Sequence, residues 1–262
     1  MPIITDQMGR EIEIKSTQRI ISLVPSQTEL LIDLGLKENL IGLTKFCVHP
    51  KNIRREIEHI GGTKDLNFDK IRELKPDLII ANKEENQQDQ IETLAKEFPV
   101  WISDIKDLDS AWDMIDRLGK LLNRASISNK IIEEGKKKWQ SLYSKEKTGT
   151  CLYFIWNKPY MLAGKNTFID HVLSYIGLEN KATILPGRYP EISQERIKAL
   201  NPDFIFLSSE PYPFKEKNKR ELEALFPEAE IHLVDGEFFS WYGSRLIPAA
   251  TYFEDLKPQL KS

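Results

Sequence analysis

The chain has 262 residues, 40% of them hydrophobic and 29% charged, with a formal net charge of −3. That length allows one large or two ordinary domains, and the composition suits a globular protein with a sizeable core. The charge balance gives no general reason to expect a nucleic-acid partner, and no apolar run reaches the roughly 18 residues a membrane helix needs.

Ile3 to Ile14 predicts a hairpin, because Glu11-Ile12-Glu13-Ile14 alternates and Asp6 to Gly9 supplies the turn. The residues from Met1 to Asp6 lack the basic segment and apolar core of a secretory signal. A cytoplasmic protein is therefore expected from the sequence as written, and a periplasmic one if an upstream signal precedes it. Arg19 to Val24 reads as a buried strand, and Pro25 opens a helix through about Leu34. Ser26 and Glu29 have capping-box spacing in that helix, and Gly35 stops it. Leu40 to Thr44 is the next strand, and Lys45 to Asn67 reads as irregular.

Asp69 to Leu74 predicts a short amphipathic helix. It ends at Lys75-Pro76-Asp77, because proline disfavours α geometry in the residue before it. Leu78 to Asn82 then reads as a strand covered on both faces. The same pattern returns at Glu195 to Ser208. Ile71 matches Ile197, Leu74 matches Leu200, Pro76 matches Pro202 and Asp77 matches Asp203, all at one constant offset. A helix, turn and strand recurring in register imply two similar lobes. A crossover helix from about Gln87 to Glu97 and a strand at Val100 to Ile102 complete a first half built of parallel βα units.

Leu108 to Leu122 predicts a helix with Ala111, Ile115, Leu118 and Leu122 on one face. A second helix runs from about Ser126 to Tyr143, roughly 27 Å long at 1.5 Å per residue. It reads as a rigid spacer or as an ordinary surface helix. Thr150 to Trp156 is a strand, Thr167 to Ile176 a helix, Leu222 to Phe226 a short helix, Glu230 to Val234 a strand and Pro248 to Leu256 a closing helix. The expected organisation is an α/β lobe over 1–122, a connecting helix over 123–146 and a second α/β lobe over 147–262, with mostly parallel sheets.

In open α/β sheets ligands gather outside the carboxyl ends of the strands. The loops there hold Pro25 and Ser26, Phe46 and His49, Asn82, Trp156 and Tyr160, and the run Asp235 to Tyr242. The last run packs four aromatic rings into five residues, Phe238, Phe239, Trp241 and Tyr242 with Ser240 between. Aromatic walls suit a large, partly apolar ligand, and packing inside a core is the alternative. Arg188 and Arg245 suit either a ligand anion held in bidentate fashion or an ion pair. Ser26 suits an anion site or a cap. Cys47 and His49 are too few for a zinc site, so no metal site is expected. Cys47 and Cys151 read as free thiols. The phosphate-loop, dinucleotide and nucleophile-elbow patterns are missing.

These residues resemble the periplasmic binding proteins of the helical-backbone type, which serve cobalamin and iron-siderophore importers, and most of all the cobalamin-binding group. The likeness rests on Arg19 to Leu30, Lys75 to Ile80, Ala163-Gly164-Lys165 and Ile192 to Glu195. The resemblance implies two Rossmann-like lobes joined by one long helix, with the ligand between them. It implies the substrate-binding protein of an ABC-type importer, no enzyme, holding a corrinoid or an iron-siderophore and needing no intrinsic cofactor. The family's ligand contacts fall here on Trp156 or Tyr160, on Tyr189 before Pro190, and on Phe238 to Arg245. In the family an acidic residue on each lobe meets arginines of the membrane permease. The candidates here are Glu85 or Asp89, and Glu210 or Glu216. Asn82 stands where cobalamin binders carry tryptophan, and His49 stands in place of an aromatic. A monomer is expected. The competing reading is a cytosolic carrier, sensor or enzyme, with His49, Asp235 and Glu237 as proton-transfer groups.

Overall fold

The computed structural model describes residues 3–260; Met1 and Pro2, where the reading of the amino terminus begins, lie outside the described residues. The chain divides into two compact units. The first holds the residues through Ile105, Asp109–Glu133 and the short segment Tyr242–Arg245. The second holds Lys106–Leu108, Glu134–Trp241 and the residues from Leu246 onward.

The first unit begins with the predicted hairpin, β1 (Ile3–Thr5) and β2 (Glu11–Glu13), with Ile4 opposite Ile12. Next come β3 (Ile20–Ser22), α1 (Pro25–Asp33) and β4 (Leu40–Leu43). The stretch read as irregular contains α2 (Ile53–Glu56) and three two-residue strands, β5 (Glu58–His59), β6 (Gly61–Gly62) and β7 (Asp65–Leu66). These are too short for any periodicity to show. Then follow α3 (Phe68–Leu74), β8 (Leu78–Asn82), α4 (Gln88–Ala95), β9 (Val100–Ser103) and α5 (Leu108–Leu121). The main sheet is parallel, in the order β5-β4-β3-β8-β9. Every residue of β3 and β8 is buried, as strands covered on both faces require.

Helix α6 (Ala125–Leu142) has the predicted length of 18 residues. Its sequence is heavily charged, yet Ser128, Ile131, Gly135, Trp139 and Leu142 are buried at helical spacing along one face. Residues through Glu133 belong to the first unit and the rest to the second. Trp139 fixes the second part: its indole N–H donates to the Leu246 carbonyl at 2.7 Å and its ring meets Tyr175 and Phe253 edge-on.

The second unit contains β10 (Gly149–Trp156), β11 (Tyr160–Leu162), α7 (Phe168–Tyr175), β12 (Leu178–Asn180), β13 (Glu191–Ile192), α8 (Gln194–Leu200) and β14 (Phe204–Ser208). After these come α9 (Glu216–Leu225), β15 (Glu230–Val234), α10 (Gly236–Ser240) and α11 (Leu246–Leu256). Its sheet runs β13-β11-β10-β14-β15, with β12 also paired to β10. Strands β10, β12, β14 and β15 are parallel, and β11 runs antiparallel to both its neighbours.

The repeated pattern is repeated structure down to single hydrogen bonds. Asn67 caps α3 by accepting from Lys70 N, and Ser193 caps α8 by accepting from Arg196 N. Lys75 and Asn201 end the two helices in the left-handed region, at φ 47° and 43°. After each proline an aspartate staples the neighbouring strand. Asp77 Oδ2 accepts from Ser16 Oγ at 2.7 Å and Arg19 N at 3.1 Å, just before β3. Asp203 Oδ2 accepts from Thr150 N and Thr150 Oγ1, both at 2.7 Å, at the start of β10. Each aspartate thus links the turn before a strand to the beginning of the strand beside it.

Candidate functional site

In the first unit the expected residues gather around the amino end of α1. Val24 is the N-cap and Pro25 the first helical residue, so Ser26 lies two positions too far in to cap; no side-chain cap bond forms. The capping-box reading of Ser26 and Glu29 is therefore corrected. Glu29 reaches Arg245 instead, with Arg245 Nε donating to Oε2 at 2.9 Å and Nη2 to Oε1 at 2.7 Å. Their side chains are only 18% and 11% exposed, and the edge of Arg245 expected to hold a ligand anion is filled by this carboxylate. Burial pushes the Glu29 carboxyl above the usual glutamate range; Arg245 and His49 oppose that shift, and Asp33 adds to it.

Behind α1 lies a buried polar row. Thr28 Oγ1 donates to Ser22 Oγ at 2.7 Å, and the Cys47 sulfur lies 3.1 Å from Thr28 Oγ1 and 3.3 Å from Thr44 Oγ1. Burial raises the Cys47 thiol, which keeps it protonated and unsuited to metal or nucleophilic chemistry. Phe46 is exposed with the Lys45 ammonium 5.2 Å from its ring centre, and His49 is half-buried. Asn82 is buried and organises the turn that follows it. Its Oδ1 accepts from Glu84 N at 2.8 Å and Glu85 N at 3.1 Å, while its amide donates to Ser103 Oγ at 2.9 Å. Glu85 is half-buried in that turn, and Asp89 is exposed in the first turn of α4.

In the second unit the run after β15 is a helix rather than a loop. Asp235 caps α10 by accepting from Glu237 N at 3.0 Å, and a single helical turn then sends the rings in different directions. Phe239 is fully buried among Tyr153, Phe206 and Phe253. It packs the core and does not line a surface. Phe238 is half-buried and stacks on Tyr252, with ring centres 4.8 Å apart. Trp241 is 7% exposed, its indole N–H donating to Glu210 Oε1 at 2.8 Å. Ser240 Oγ donates to the same oxygen at 2.9 Å, so Glu210 is held inside its own unit rather than presented outward. Burial lifts its carboxyl above the usual range. Tyr242 is buried and belongs to the first unit. Asp235, offered as a proton-transfer group, serves as the cap of α10.

The aromatic surface of this unit begins at the last residue of β10. Trp156 is 41% exposed, and its ring meets Tyr212 edge-on at 5.7 Å. Tyr212 meets Phe214 at 4.8 Å, Phe214 meets Phe154 at 6.4 Å, and Phe154 meets Tyr160 at 5.5 Å. An exposed tryptophan thus stands on a row of rings that runs through Phe214 and Phe154 of the core. Tyr189 is 36% exposed. Glu216 is exposed in the first turn of α9. Among the described residues no group of three or more His, Cys, Asp and Glu is arranged to hold a metal ion, and no helix is long and apolar enough to cross a membrane. Sequence reasoning missed Glu29 as a partner of Arg245. The signal was a carboxylate directly before Leu30 and Leu31, in a helix where Ser26, Gln27 and Thr28 are buried as well.

Residues 20–230 match the model of a family described as periplasmic binding protein. A vitamin B12-binding protein of Yersinia pseudotuberculosis serotype O:3 (strain YPIII) is 26% identical over 198 residues, covering 74% of this chain and 70% of that one. The crystal structure of the periplasmic vitamin B12 binding protein of Vibrio cholerae matches with a TM-score of 0.81 at 23% identity, covering 93% of this chain and 97% of that one. A periplasmic heme binding protein from Pseudomonas aeruginosa matches with a TM-score of 0.77 at 20% identity, covering 94% of each chain. At these identities the two structural likenesses bear on the fold.

Proposed function

Because the chain belongs to the periplasmic binding protein family, we propose that it is the substrate-binding protein of an ABC-type importer and binds a large metal chelate, in the first instance a corrinoid. One observation carries the ligand class: Trp156, 41% exposed, crowns a row of edge-to-face rings. A rigid aromatic face of this kind suits the flat, partly apolar body of a tetrapyrrole-like ligand. The relative from Yersinia, named for vitamin B12, supports the same class. In the second unit the proposed ligand-binding residues are Trp156, Tyr160, Tyr189 and Phe238. In the first unit, taken by itself, they are Pro25, Ser26, Phe46, His49, Tyr242 and Arg245. Asn82, Phe239 and Trp241 frame the site without touching the ligand.

A permease would be met through Asp89 and Glu216. Both are exposed, and both lie in the first turn of the helix that follows a matching strand, β8 in one unit and β14 in the other. Glu85 and Glu210 are the weaker candidates, half-buried as they are. The relatives named above include proteins described as periplasmic, and we assign this chain to the same side of the membrane.

Titration by absorbance with cyanocobalamin, haemin and a ferric siderophore tests the proposal. Cyanocobalamin should bind in the micromolar range or tighter. Dissociation constants weaker than about 100 µM for all three, about −5.5 kcal/mol, would sink it.

A further inference from the structure

We propose that Glu29 is a positioning residue of this site: it clamps the segment Tyr242–Arg245 onto α1 and so fixes Tyr242 and Arg245 in place. The clamp itself is read from geometry; its effect on a ligand rests on the function proposed above.

Tyr242–Arg245 is a strap. Its four residues belong to the first unit, while Trp241 before it and Leu246 after it belong to the second. Both flanks are tied down. The Trp241 indole is bonded to Glu210, and the Leu246 carbonyl accepts from the Trp139 indole. Four extended residues reach at most about 14 Å.

Two features hold it. The backbone lies directly against α1 at Gly243, where φ is +100° and a Cβ would stand 3.3 Å from the Ser26 carbonyl oxygen and 3.2 Å from Leu30 Cβ. A side chain there would be strained in φ and tight against the helix. The second feature is the bidentate pair from Arg245 to Glu29, with both bonds under 3 Å and both side chains mostly buried. Charge-assisted bidentate bonds of this kind fix direction as well as distance. Glu29 is not needed by its own helix, because it lies beyond the first turn that starts at Pro25. The charged groups acting on it are Arg245, His49 and Asp33, and among the described residues Arg245 alone is hydrogen-bonded to it.

Glu29→Gln keeps the shape of the side chain and removes its charge and one acceptor. Hydrogen exchange on the ligand-free variant should show the amides of 242–245 losing protection by about tenfold, with those of β3 and β8 unchanged. Cyanocobalamin affinity should weaken by about tenfold. Arg245→Ala should weaken it by at least as much, and adding Glu29→Gln to Arg245→Ala should change nothing further, because Glu29 acts through Arg245. Unchanged protection of the strap in Glu29→Gln overturns the clamp. So does an additive loss of affinity in the double variant, and a loosened strap with undiminished affinity overturns the link to the site. If the unaltered protein binds none of the three probes, the proposed function fails, and the exchange measurement still decides whether Glu29 holds the strap.

Discussion

Trp156 and Trp241 are both tryptophans in expected ligand loops, and truncating each to alanine should have opposite outcomes. Trp156 is 41% exposed, which leaves about 100 Å² of a ring system whose full area is roughly 250 Å². Covering that area with a ligand is worth at most about 2.5 kcal/mol at 25 cal/mol per Å², or about 70-fold in affinity. Its loss to the fold is one edge-to-face contact with Tyr212 and partial burial, about 1–2 kcal/mol. Trp241 is 7% exposed and donates to Glu210. Its truncation opens a cavity, about 3–5 kcal/mol, and takes a donor from a buried carboxylate. Urea unfolding followed by circular dichroism gives the stability of each variant, and cyanocobalamin titration gives its affinity. Trp156→Ala should lose about 10- to 70-fold in affinity with a small change in midpoint. Trp241→Ala should shift the midpoint far more. If Trp156→Ala unfolds as readily as Trp241→Ala while still binding normally, the assignment of one ring to the ligand and the other to the frame is refuted.

Two further outcomes follow from the charges. Glu210 has a folded pKa raised chiefly by burial, with Glu237 and Asp235 adding to it. Its contribution to stability is therefore complete below the unfolded glutamate value of about 4.3 and is lost as pH rises through the folded value. Glu210→Gln should melt like the parent at pH 4 and about 2 °C or more above it at pH 7; a difference independent of pH would contradict this. Asp203 has its pKa lowered by the bonds from Thr150, so its contribution is present at neutral pH and lost as pH falls through the folded value. Asp203→Ala removes two 2.7 Å bonds on an exposed side chain and should cost about 1 kcal/mol by urea midpoint at pH 7.

Where the sequence was legible, local chemistry decided the structure. The Lys-Pro-Asp turn, its twin at Asn201-Pro202-Asp203 and the strands after them are set within a few residues by proline geometry and apolar runs. The sequence predicts only the last part of helix α9, because Leu222 is its one buried residue and leaves no apolar stripe to count. Helix α10 looks like a loop in the sequence because a five-residue helix has no period; its one clue is Asp235 before Gly236. The pairing of Glu29 with Arg245 joins positions 216 residues apart, which no local pattern reports. Capping offered a nearer explanation for Glu29, and Val24 with Pro25 made it unnecessary.

The strap has a consequence for how the molecule is made. Domains generally fold as the ribosome releases them, amino-terminal part first. Here the first unit has its sheet by Ile105 and its last helical residue at Glu133, but its final four residues arrive only at Tyr242–Arg245. At about 5–20 residues per second, that delay is on the order of ten seconds. Throughout it the nascent first unit carries Glu29 without its arginine and an uncovered patch at Ser26 and Leu30. A chain halted anywhere before Tyr242 leaves that unit unfinished, however completely its own strands have paired.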